Sequence, residues 1–171
     1  MSAAGISKKR AASFEELKPA CQILILHDDF QAYTRAVDVC RQIMEQHANE
    51  MDFDVKCWNF IELADPNCAR HAAKTAGCAD IVLLSVQTSR LPVEVQRWLD
   101  YYFVSRHRID GTLMLVLNST HNPESSLDHC VSHLEHVAER LGMRFVSFAP
   151  IGDMTLMDLQ PVAAALRASR R

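Results

Sequence analysis

The sequence predicts an α/β fold: a three-layer α/β/α sandwich with a five-stranded parallel sheet in the order 2-1-3-4-5. Three observations carry this. Short, mainly apolar runs occur at 21–26 (CQILIL), 81–84 (IVLL) and 112–117 (TLMLVL), as expected of strands covered on both faces. Between them, apolar residues recur every three or four positions, the helical period. The two signals alternate along the chain without internal repeat or low-complexity linker, which calls for right-handed crossovers onto both faces of one sheet.

The elements follow in order. Residues 1–12 are small, polar and basic; Ser13 and Glu16 have capping-box spacing, so 14–18 are expected to form a short helix stopped by Pro19. The chain then divides into a tail over 1–19 and one domain over 20–171. Strand one, 21–26, ends in His27-Asp28-Asp29. Tyr33, Ala36, Val37, Cys40, Ile43, Met44 and His47 mark an amphipathic helix over 31–47. Phe53, Val55 and Cys57 alternate with polar neighbours, which predicts a second strand over 53–60 near a sheet edge. Asp65-Pro66 caps and opens the next helix, and Gly77 is expected to close it.

Strand three, 81–84, leads into a polar loop from Ser85 to Arg90, and Pro92 opens a helix with Val95, Leu99 and Tyr102 toward the core. Strand four, 112–117, ends in Asn118-Ser119-Thr120. Ser125 and Asp128 form a second capping box, Gly142 stops that helix, 144–148 is the fifth strand, and 158–169 is a last helix.

Composition narrows the function. With 171 residues, 49% hydrophobic and 23% charged, the chain can bury a full core. A net charge of -3 gives no general attraction to nucleic acid; Lys8, Lys9 and Arg10 at one end and Arg167, Arg170 and Arg171 at the other read as solvated tails. No run approaches a membrane span, and the start (MSAAGISKKR) lacks a secretory apolar stretch, so a cytoplasmic location is expected. The six cysteines include no CxxC and sit mostly in apolar runs, as reduced thiols do.

In a sheet of this order, ligands sit at the carboxyl ends of the strands where the order reverses. The candidate cleft is therefore lined by His27, Asp28, Asp29, Ser85, Gln87, Thr88, Asn118, Ser119 and Thr120. Asp28 and Asp29 suit a hard cation such as Mg²⁺ and repel phosphate. The plainer reading has Asp29 capping the following helix. His129, His133 and His136 share one helix at a spacing that can chelate, but the apolar stripe of that helix lies opposite, so a solvated face is expected.

ILILHDDF with DIVLLS resembles the receiver domains of response regulators across about 21–168. That resemblance implies an acidic Mg²⁺ pair at Asp28 and Asp29 and a site hydroxyl at Ser119 or Thr120. Ser85 stands where receivers carry the phosphoacceptor aspartate, and Ala149 where they carry a lysine. The stretch 79–103, with ADIVLL, Leu91-Pro92 and the helix holding Trp98, is similar to flavodoxins and flavodoxin-like FMN reductases. Those proteins cradle FMN in the loops after strands one and three. Here the first loop is acidic and the second, Gln87 to Arg90, lacks an aromatic, so no cofactor is expected and FMN least of all.

The leading expectation is a non-catalytic, receiver-like interaction domain working through a protein partner or a homodimer, with Trp98, Tyr101 and Phe103 as the interface. A flavodoxin-like FMN-dependent reductase or electron carrier is the alternative, and a hydrolase or ligand-binding domain using Asp28, Asp29 and Ser85 is the third reading.

Overall fold

The computed structural model describes residues 18–88, 90–118 and 124–148, the side chains of 124–128 and of Phe148 excepted. The helices expected at 14–18 and 158–169, together with Ser119, Thr120 and Ala149, lie outside the described residues, as do the side chains of the Ser125–Asp128 capping box.

Five strands, β1 (Ala20–His27), β2 (Asp52–Asn59), β3 (Ile81–Val86), β4 (Thr112–Leu117) and β5 (Arg144–Phe148), form one parallel sheet in the order β2-β1-β3-β4-β5. Alternation along each strand divides the core in two. Ile23, Ile25, Ile81, Leu83, Met114 and Val116 point to the face carrying α1 (Phe30–His47). Leu24, Leu26, Val82, Leu84, Leu113 and Leu115 point to the face of α2 (Pro66–Cys78), α3 (Val93–Ser105) and α4 (Glu124–Arg140). The expected three-layer sandwich and its strand order are both present.

Several elements differ in detail. β2 stops at Asn59, which caps a 3₁₀ turn over Phe60–Ala64; its side chain accepts from the Ile61 N–H while Glu62 accepts from the Asn59 N–H. Gly77 lies within α2 rather than closing it. A Cβ there would come within 2.5 Å of the Ser105 carbonyl oxygen, so glycine lets α2 and α3 approach. β3 runs through Ser85 to Val86, because burial under the flanking helices keeps the small serine inside the sheet. α4 begins at Glu124, so Ser125 falls inside the helix rather than at its cap. Gly142 does end α4, at φ 66°, with the Met143 N–H reaching the Ala138 carbonyl and the Gly142 N–H reaching that of Glu139.

Trp98 is fully buried, stacked on Tyr102 with ring centroids 5.0 Å apart, which removes it from the expected interface. The reason is the close α2–α3 contact: Ala69, Ala72, Ala73 and Ala76 give α2 a small-residue face, and the large rings of α3 fill the core beside it. Tyr101 and Phe103 are half-buried, under the guanidinium groups of Arg70 and Arg140.

Candidate functional site

β1 and β3 are neighbours although β2 lies between them in sequence, so the strand order reverses between their carboxyl ends. The Asp28 N–H bonds to the Ser85 carbonyl at 3.2 Å and closes the ladder there. The chain then turns into α1, with Asp29 in extended conformation as N-cap; its Oδ1 accepts from the Ala32 N–H at 2.8 Å.

Gln87, the first residue past β3, organises the cleft. Its Nε2 donates to Asp29 Oδ2 at 3.1 Å and to Gln31 Oε1 at 2.8 Å. Its Oε1 accepts from Arg35 Nη2 at 3.0 Å and from Asn118 Nδ2 at 2.8 Å. Two donated and two accepted bonds use the full capacity of an amide. One side chain thus ties together the ends of β1, β3 and β4. Arg35 Nη2 also reaches the Val86 carbonyl at 3.3 Å.

Electrostatics follow from this packing. Burial works to raise the Asp29 pKa, but the Ala32 N–H, the Gln87 amide, the Arg35 charge and the Gln31 N–H together hold it below the ordinary carboxylate value. Burial also lowers the Arg35 pKa, against the opposing pull of Asp29 and Asp28. The strand ends therefore hold one guanidinium against two carboxylates.

The other sequence-named residues fare differently. His27 is half-buried, its Nδ1 3.2 Å from the Asp29 carbonyl and its ring centroid 5.1 Å from that of Tyr33. Ser85 is fully buried, and its hydroxyl has no hydrogen-bond partner among the described residues. Thr88 is exposed, and its hydroxyl donates to the Arg90 carbonyl. His129, His133 and His136 are exposed, as the helix period requires. Among the described residues no cluster of three or more His, Cys, Asp or Glu side chains is placed to hold a metal ion.

Sequence reasoning missed Arg35 and Gln31. Their i, i+4 spacing on α1, just past the Asp29 cap, places both on the face that looks up at the β3 loop; that offset was the available signal.

No family model matches the chain, and no curated protein matches it in sequence. Solved structures do. A flavodoxin-like domain from Synechococcus sp. superposes with a TM-score of 0.53 at 15% identity, over 87% of this chain and 99% of that one. A short-chain flavodoxin associated with a non-canonical PDU bacterial microcompartment superposes with a TM-score of 0.55 at 13% identity, over 90% of this chain and 99% of that one. The fold is flavodoxin-like. At these identities the flavodoxin-like likeness concerns the path of the chain and not its chemistry. No described helix is long and apolar enough to cross a membrane.

Proposed function

We propose that this flavodoxin-like domain is a non-catalytic, receiver-like interaction module whose strand-end cleft is a structural knot rather than a ligand cradle. The observation that carries this reading is the saturated Gln87 amide, held by Asp29, Gln31, Arg35 and Asn118. The loop after β3 is thereby drawn into the cleft. An FMN phosphate at the start of α1 would find the Ala32 N–H already taken by the Asp29 carboxylate, with Asp28 beside it. Phosphotransfer is disfavoured by Ser85, a buried strand hydroxyl at the place of the receiver phosphoacceptor.

Of the acidic pair, Asp29 has an oxygen committed to each of two protein donors, so Mg²⁺ bound here would rest on Asp28 and water. A second reading, an FMN-binding electron carrier, draws on the similar short-chain flavodoxin. One experiment with two arms tests the proposal. Titration of FMN into the purified protein is expected to leave flavin fluorescence unquenched. Acetyl phosphate with Mg²⁺ is expected to add no phosphoryl mass to the intact protein. Stoichiometric quenching would establish the second reading, and an added mass lost in Asp28→Asn would establish an active receiver.

A further inference from the structure

β2 is the outer strand of the sheet, and its other edge has no strand partner among the described residues. The Asp52 N–H points inward to the Pro19 carbonyl, so by strand alternation Phe53, Val55 and Cys57 turn their backbone N–H and C=O groups outward. Their side chains lie on the α1 face, in register with Cys21, Ile23 and Ile25 of β1. Val55 and Cys57, with Tyr33, Val37, Cys40 and Met44 of α1, line an open and mainly apolar groove along that edge. On the opposite face of the strand, Asp54 and Lys56 stand two residues apart, both exposed, their charged atoms 3.6 Å from one another.

We propose that β2 is a self-association edge: two copies of this chain pair their β2 strands antiparallel about a two-fold axis at Val55, joining two five-stranded sheets into one of ten strands. The register is chosen by charge. Centred on Val55, Asp54 faces Lys56 of the second copy, and the same pair repeats on the other side of the axis. Centring on Asp54 or on Lys56 sets like charges face to face, centring on Phe53 sets Asp52 against Asp54, and centring on Cys57 leaves Lys56 opposite Trp58.

Backbone geometry agrees with the Val55 register. The outward-facing Phe53, Val55 and Cys57 become the hydrogen-bonded pairs. Asp54 and Lys56 fall on the non-hydrogen-bonded pairs, where side chains approach most closely. On the α1 face, Phe53, Val55 and Cys57 of each copy meet their counterparts, and the two apolar grooves become continuous. The pairing satisfies exposed backbone groups and covers apolar side chains with the same residues from both partners, as a two-fold contact demands. It depends on this edge and not on the reading of the cleft.

Light scattering on the eluting protein tests the proposal. The wild type is expected at twice the monomer mass at high concentration. Lys56→Asp and Asp54→Lys each place like charges across the axis and should raise the dimer dissociation constant about tenfold or more, whereas the exchange Asp54→Lys with Lys56→Asp should restore it. Tyr101→Glu, on α3, should leave the dimer intact. Independently, Val55→Cys with Cys57 and Cys78 changed to Ser should cross-link under mild oxidation, and Asp52→Cys in the same background should not. A monomer at every concentration, a dimer indifferent to both single charge changes, or no cross-link through position 55 would overturn the proposal.

Discussion

Asp29 shows how much one side chain decides at the end of a strand. It is an N-cap through Oδ1 and a partner of Gln87 through Oδ2, so its carboxylate serves both the helix and the cleft. Asn can still cap through its amide oxygen but turns an NH2 group toward the Gln87 donor, so Asp29→Asn removes the charge and that hydrogen bond while keeping the cap. Because the folded-state pKa lies below the ordinary value of 3.8, ionised Asp29 favours the folded state above that pH, and the benefit disappears as pH falls through the lowered value. Asp29 is exposed to solvent, which screens the effect, and we expect Asp29→Asn to lower stability by about 0.5 kcal/mol at neutral pH. Urea denaturation of both proteins across pH should show the difference shrinking below about pH 3.8. A gap that widens in acid would contradict this account.

At the scale of elements, the contact between α2 and α3 sets the positions of the side chains around it. Gly77 would be a poor choice for an isolated helix, since alanine at such a site is favoured by about 1 kcal/mol. The Ser105 carbonyl beside it reverses the preference, because a Cβ at 2.5 Å from a backbone oxygen forces the helices apart. Gly77→Ala should therefore destabilise the protein by about 1–3 kcal/mol, read as a lower thermal midpoint. A stabilised variant would mean that α2 and α3 are not held this closely.

The same contact explains why α3 buries more than its heptad-like pattern announces. Val95, Leu99 and Tyr102 were legible as core from their spacing, whereas Trp98 lies between the two expected faces and is buried because α2 presents alanines to it. α1 errs the other way. Its apolar pattern is wider than the sheet beneath it, so Val39, Cys40 and Ile43 are buried while Tyr33 and Val37 remain on the flank, at 36% and 37% exposure.

Across the whole molecule, the end of the sheet opposite the cleft is fastened by Arg106. Its guanidinium donates to the carbonyls of Ala76 and Ala79, to the Asp110 carbonyl and to the Tyr102 hydroxyl, joining α2, α3 and the turn into β4. Gly111 permits this, at φ 114°, because a Cβ there would meet the Arg106 side chain. Next to it, Arg108 bridges Asp80 and Asp110 at 3.0 and 2.9 Å, and Asp80 also accepts from the Gln22 N–H. Arg106→Ala would take a donor from each of these acceptors, although the Ala76 carbonyl keeps the Ala79 N–H and the Tyr102 hydroxyl keeps Met143, and should lower the unfolding free energy by about 3 kcal/mol in urea. The transition should stay single if the described elements unfold as one unit, and a second transition would show that α2 and α3 come away separately.

The sequence by itself determined the fold class and the strand order, since short apolar runs alternating with amphipathic helices leave few ways to bury both faces of a sheet. It also determined that Asp28 and Asp29 stand at the end of β1 and that His129, His133 and His136 look outward from α4. Only the tertiary structure decided what the cleft residues do to one another. Gln87 meets Asp29 and Gln31 across more than fifty residues of chain, and Asn118 across 31, so no local pattern announces the knot they form with Arg35. The burial of Ser85 and Trp98 belongs to the same class. A residue's period along its own strand or helix fixes the side it faces, but whether that side is open depends on the size of the side chains that a different element brings to it.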